Sequence, residues 1–425
     1  MLDIHTLPQH VAQGIIDAVG EVGQPPHLGA EYLQIGLSPV LDLLDQEYFL
    51  RFSRTGRGST FKLAQAYFGG GKSLLIRCLV QRAWNRGMCT AVVDLSPTEC
   101  PFDDTLALYT GVAMALSWRP QQEFDEPDRG IDATLVAALT ELQGDLGNEG
   151  LRQWLDSTLR RAPIDSRVYR AAILAFAHAW LDGDFETEEL VAAWLRGDEV
   201  LISEVRHLNI RGSITKKTGM RMMRSLVQIL RLLGGKGLML AFDELDRNMA
   251  LSPKRRNAVA DNVRELIDYC AGGTLPGLFV VYGAPPLFMR DTVSEYVALQ
   301  QRLEPPRALS VSSPQSALID LEDLGIPARE LLTTIGMRLL DIFEVARSAS
   351  LDAEIQRQNM EKLAKKVSEA TFSVGHRRAF VKAAVDLLYG QAVNEHALAD
   401  DEIRTLAGDS AELVVLDGRT AMVDW

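Results

Sequence analysis

Apolar residues recur at helical spacing near the start of the chain, at Val11, Ile15, Ile16 and Val19, and predict a helix over residues 8–20. Gly23-Gln24-Pro25-Pro26 ends it, and a second helix is expected over 37–49. The pattern then changes. Short apolar runs at 61–68, 90–95, 238–243 and 277–283 have no helical period and the length of strands buried on both faces. A fifth run, at 308–311, reads as the last strand. A helical stretch at 74–85 joins the first two runs into a strand–helix–strand unit, which calls for a right-handed parallel crossover. From 102 to about 230 the spacing is helical almost throughout, so this part reads as an insertion between core strands. Charged and amphipathic helices are expected at 254–270, 331–346, 356–367 and 375–388, with a hairpin around Asp417-Gly418 in the tail. The expected fold class is α/β, with five parallel strands flanked by helices.

Composition narrows this picture little. The 425 residues can hold one elaborated domain or two to three smaller ones. With 57 acidic against 44 basic residues the formal charge is −13, so any nucleic-acid contact must come from a local basic patch. Two such stretches occur. Arg51, Arg54, Arg57 and Lys62 read either as a solvated loop or as contacts to a nucleotide or a neighbouring subunit. The second, 206–224, holds Arg206, His207, Arg211, Lys216, Lys217, Arg221 and Arg224 without an acid, and is either an exposed balancing face or a phosphate- or DNA-binding patch. The four cysteines have no C-x-x-C spacing and read as reduced thiols. The N-terminal residues lack the n- and h-regions of a leader, and no window is apolar enough to span a membrane, so a cytoplasmic protein is expected.

Chemistry concentrates in two places. Ala66-Tyr67-Phe68-Gly69-Gly70-Gly71-Lys72-Ser73 lies between a strand and a helix, where consecutive glycines let backbone N–H groups converge on phosphate oxygens. Residues 68–74 (Phe68, Gly69, Gly70, Gly71, Lys72, Ser73 and Leu74) form the expected ATP cradle. In it Lys72 reaches the β- and γ-phosphates and the Ser73 hydroxyl ligates Mg²⁺. Ala66 stands where the pattern has glycine. The second place is Leu238-Met239-Leu240-Ala241-Phe242-Asp243-Glu244, which carries two carboxylates to the carboxyl edge of the sheet. Asp243 is the expected metal ligand and Glu244 the expected base that polarises water. Arg290 and Arg302 are candidates to act on a neighbouring subunit.

These stretches, with G-L-F-V-V-Y-G-A-P-P-L-F and L-Q-Q-R-L after them, resemble the ATP-binding proteins of bacterial BREX phage-defence loci, the BrxD-like class. That class is similar to the Orc/Cdc6-like branch of AAA+ ATPases. The resemblance spans about residues 10–390. It implies a P-loop sheet of the AAA+/ASCE type and a C-terminal helical lid. Domains are then expected at 1–60 (helical), 61–312 (ATPase core, insertion at about 102–230) and 313–425 (lid with a β tail). It implies Arg378 as a lid arginine, from its spacing to Gly375, and Arg302 as a finger in a homo-oligomer. The implied function is Mg-ATP binding and hydrolysis that controls assembly with other phage-defence proteins or DNA. A low-turnover switch or scaffold and an Orc-like DNA loader are the alternatives. Ala284 stands where the class often has Thr, at the position that senses the γ-phosphate.

Overall fold

Each core strand presents alternate residues to two different hydrophobic clusters. The computed structural model describes residues 2–96, 98–243, 252–273, 275–304, 307–370 and 376–408. Among these residues one sheet of six strands runs β1 (Ser59–Gln65), β2 (Cys89–Asp94), β3 (Leu116–Ser117), β4 (Leu238–Asp243), β5 (Leu278–Ala284) and β6 (Leu318–Asp320), in the order β3-β2-β4-β5-β1-β6. Every neighbouring pair is parallel except β2–β3. On β4, Leu238, Leu240 and Phe242 enter the cluster on one face, and Met239 and Ala241 the cluster on the other. Burial on both faces is why these strands are continuous apolar runs.

Two expectations about the sheet are corrected. It has six strands, not five, because the chain leaving the helix after β2 adds two antiparallel residues to the edge. The last parallel strand is β6 and not 308–311: Leu63, Ala64 and Gln65 pair with Leu318, Ile319 and Asp320. In the earlier run Val311 is 85% exposed, and Ser310 and Ser313 close a tight turn instead. The tail hairpin lies outside the described residues.

The main helices are α1 (Gln9–Glu21), α2 (Lys72–Asn85), α3 (Thr105–Ala115), α4 (Ile131–Ser157, kinked at Gly147), α5 (Arg167–Asp182), α6 (Phe185–Arg196), α7 (Gly219–Leu232), α8 (Pro253–Ala271), α9 (Val297–Leu303), α10 (Ala328–Arg347), α11 (Ala353–Ala370) and α12 (His376–Val393). Helices α3 to α7 cover one face of the sheet. α2 and the segment from Ala30 to Phe52 cover the other. A third cluster joins α1 to α10, α11 and α12. No helix among the described residues is long and apolar enough to cross a membrane. The four cysteines are buried and unpaired.

Lys62, expected on a basic surface stretch, is fully buried on β1. Its ammonium donates to Tyr48 Oη at 3.0 Å and to the carbonyls of Pro314 at 2.8 Å and Ser316 at 2.6 Å, tying β1 to the chain before β6. Burial pushes its pKa from 10.5 down to about 7. Between about 7 and 10 the unfolded chain therefore holds a proton that the native chain has shed. Stability should rise with pH across that window, by at most about 1.4 kcal/mol per unit, and below it this group should add no further pH dependence. Urea melts of wild type and Lys62→Met from pH 6 to 9 should show a difference that grows with pH; a constant difference would contradict the assignment.

Candidate functional site

The glycine loop joins the carboxyl end of β1 to the first turn of α2. Each of its glycines has a separate reason. Gly69 (φ 71°) and Gly71 (φ 97°) are left-handed, a region that side chains disfavour. Gly70 has no such φ, but a Cβ there would lie 2.6 Å from Glu322 Oε1 and 2.7 Å from the Ala66 methyl. Ala66 is not left-handed, and its methyl packs in the cluster beneath α2, so alanine meets the needs of that position.

Lys72 opens α2 and is 7% exposed. Its ammonium donates to the Ala66 carbonyl at 2.9 Å and the Tyr67 carbonyl at 3.2 Å, and so folds back across the loop. Ser73 Oγ donates to Asp243 Oδ2 at 2.6 Å. Asp243 ends β4 and is 6% exposed. Gly283 on β5 makes room for the pair: a Cβ there would stand 3.0 Å from Asp243 Oδ1 and 3.7 Å from Lys72 Cδ. A hydroxyl and a carboxylate so placed are hard oxygen donors suited to Mg²⁺, and the first turn of α2 offers backbone N–H groups to an anion. The residues present fit a Mg²⁺–nucleotide pair.

Three features of this site were not anticipated. Asp94, at the exposed end of β2, is the register partner of Asp243, so two carboxylates stand side by side at the sheet edge. Arg77, one turn along α2 from Ser73, lies near both. Burial and then Arg129 lower its pKa, while Asp94 and Asp243 act in the opposite direction. Third, Glu322 and Arg377 clasp the loop from outside. Glu322 Oε1 accepts from Tyr67 N at 2.9 Å. Arg377 donates to the carbonyl of Gly70 and, at 2.7 Å, to that of Leu321. Asp94 was visible at the end of its apolar run, and Arg377 in the pair Arg377-Arg378; nothing local marked Glu322.

Arg378, the arginine expected to act from the lid, donates to the Val22 carbonyl at 3.0 Å and 2.6 Å, and its guanidinium lies 5.1 Å from the centre of the Phe68 ring. The side chain that reaches the loop backbone is its neighbour Arg377. Arg302 pairs with Asp268 of α8 at 2.7 Å, and Arg290 with Asp291 at 2.6 Å. At the tip of β5, Tyr282 turns into an aromatic cluster with Phe102 (centroids 4.9 Å apart) and away from the loop; its hydroxyl has no hydrogen-bond partner among the described residues. Glu244 lies outside the described residues.

The model of a family described as BREX system ATP-binding protein BrxC/D matches residues 7–405. No curated protein matches the chain. Among solved structures, the ORC2 protein of Aeropyrum pernix, determined as ADPNP-ADP complexes, is similar at 12% identity and a TM-score of 0.46, over 93% of this chain and 71% of that one. So loose a likeness carries no argument here.

Proposed function

The chain belongs to the BREX system ATP-binding protein BrxC/D family, and from that premise we propose that it binds Mg-ATP at residues 68–74 and hydrolyses it. The observation that supports this best is the Ser73–Asp243 contact of 2.6 Å beside a buried, loop-facing Lys72. In this reading Lys72 exchanges the Ala66 and Tyr67 carbonyls for the β- and γ-phosphate oxygens. Backbone N–H groups of the loop and of the first turn of α2 hold the remaining oxygens. Ser73 and Asp243 would hold the Mg²⁺ ion, which would neutralise charge on the phosphates. Glu244, next along the chain from Asp243, polarises the attacking water.

The helices α10 to α12, which follow the last core strand β6, act as the lid and respond to the nucleotide through Arg377 and Arg378. Arg302 completes the site of a second subunit in a homo-oligomer. To do so it must leave Asp268, and a half-exposed pair of this kind holds by only about 0–1 kcal/mol. Nucleotide state then controls assembly with other phage-defence proteins in the cytoplasm. DNA, expected through residues 206–224, is taken up below.

One observation favours a second reading, a low-turnover switch. Tyr282, Gly283 and Ala284 offer no polar side chain toward the γ-phosphate from the tip of β5. Calorimetric titration with ATP, with and without Mg²⁺, together with phosphate release, tests both. Mg²⁺-dependent binding with sustained release supports the ATPase. Tight binding without release supports the switch. No binding at millimolar nucleotide would end both.

A further inference from the structure

The basic stretch at 206–224 does not act as one surface. Arg221 donates to the Asp165 carbonyl at 2.7 Å, Arg224 pairs with Asp165 at 3.1 Å and lies over the Tyr269 ring, and Lys216 pairs with Asp104. These groups hold α7 and the chain before it in place. Residues 206–211 differ. A left-handed turn at Asn209 (φ 66°) carries them past α5, and together they border a groove of about 710 Å³. Its cationic rim is Arg160, Arg167, Arg170 and Arg211, with His178 and His207 beside them.

Much of that charge is not neutralised. Arg167, His207 and Arg211 are exposed and make no ion pair or side-chain hydrogen bond among the described residues. Arg170 is bonded to the Ala162 carbonyl, which leaves its charge in place. Only Arg160 and His178 share a carboxylate, Asp156, at 2.5 Å and 3.4 Å. Of the two carboxylates that line the groove, Asp182 pairs with Arg152, while Asp184 accepts from Thr187 N at the start of α6 and keeps its charge, one against four arginines. In a chain of formal charge −13, a concave cluster of unpaired guanidinium groups is repulsive to itself and attractive to a polyanion.

We infer that this groove docks the sugar–phosphate backbone of double-stranded nucleic acid. Guanidinium groups match phosphate oxygens in a planar, two-pronged geometry. No Phe, Tyr or Trp lines the groove, which leaves only the small rings of His178 and His207 for unpaired bases to stack on and none of the aromatic anchors that hold a peptide. What remains is recognition of evenly spaced backbone charge, without base reading. The inference takes only residues 206–211 from the basic stretch and does not depend on ATP binding.

The test is anisotropy of a labelled random-sequence duplex with the full chain across roughly 50–200 mM salt. Contacts from Arg167, Arg170 and Arg211 give a slope of log affinity on log salt near about −2.7, which is about 40-fold across that range. Arg167→Glu with Arg211→Glu should cost at least about 10-fold at low salt and bring the slope to about −1. Thermal stability and nucleotide affinity should stay at wild-type values; if the charge reversal lowers stability, Arg167→Gln with Arg211→Gln gives the same readout. An unchanged slope in either variant would overturn the inference. So would tighter binding of a single strand of equal length, or displacement by polyglutamate as effective as by unlabelled duplex.

Discussion

Lys72→Ala should lower affinity for Mg-ATP by between about 30-fold and several thousandfold, the effect of about 2–5 kcal/mol for removing one partner of a desolvated charge pair. Lys72 is buried, and its ammonium is held by the Ala66 and Tyr67 carbonyls at the loop's own entrance. Exchanging those two carbonyls for polyphosphate oxygens replaces neutral acceptors with ionised ones without moving the side chain far. The variant loses that exchange. It also leaves two carbonyls without their donor, so affinity must be separated from folding. A thermal-shift series does this: a bound nucleotide raises the wild-type midpoint as its concentration passes the dissociation constant, and the variant should show a normal midpoint without ligand and little rise with it. Asp243→Asn supplies the complementary measurement. It should weaken binding in Mg²⁺ and leave metal-free binding nearly unchanged, since in the proposed reading Asp243 meets the nucleotide through the metal it holds with Ser73. Retention of ATP affinity within about threefold in Lys72→Ala would remove the loop as the nucleotide site.

What could be read from the chain followed the physical range of each interaction. β4 and β5 were legible because burial on both faces leaves no polar positions, and the glycine loop because its backbone conformations are local. β3 was not, being two residues peeled from the end of a helix, and β6 was not, since only Ile319 of its three residues is buried. Lys62 was read as surface charge although it sits between Phe61 and Leu63 in a strand pattern. Its facing residues are Tyr48 and the chain near Pro314, which local sequence does not disclose. The clasp of Glu322 and Arg377 on the loop likewise depends on the approach of segments distant in sequence, and only the tandem arginines hinted at it. The basic stretch at 206–224 shows the same limit in reverse: it is continuous in sequence, but Asp104 pairs with Lys216 and Asp165 with Arg224.

Glu244→Gln should leave ATP affinity within a few fold of wild type and slow phosphate release by roughly 10²–10⁴-fold, the usual contribution of a positioned general base. In the proposed reading the consecutive carboxylates Asp243 and Glu244 divide the work. Asp243 accepts a 2.6 Å hydrogen bond from Ser73, and in the proposed reading the two hold the metal, which leaves Asp243 poorly placed to take a proton from water. Glu244 follows Asp243 in sequence, and its amide analogue keeps the shape while losing the basic oxygen. Single-turnover release separates this from slow product dissociation, since a loss confined to multiple turnovers would report release and not chemistry. Asp94 gives the experiment its alternative. It stands beside Asp243 in register, at an exposed strand end. Wild-type single-turnover rates in Glu244→Gln, with a collapse in Asp94→Asn, would move the base from β4 to β2. Collapse in Glu244→Gln alone would leave Asp94 the task of holding Arg77 near the metal ligands.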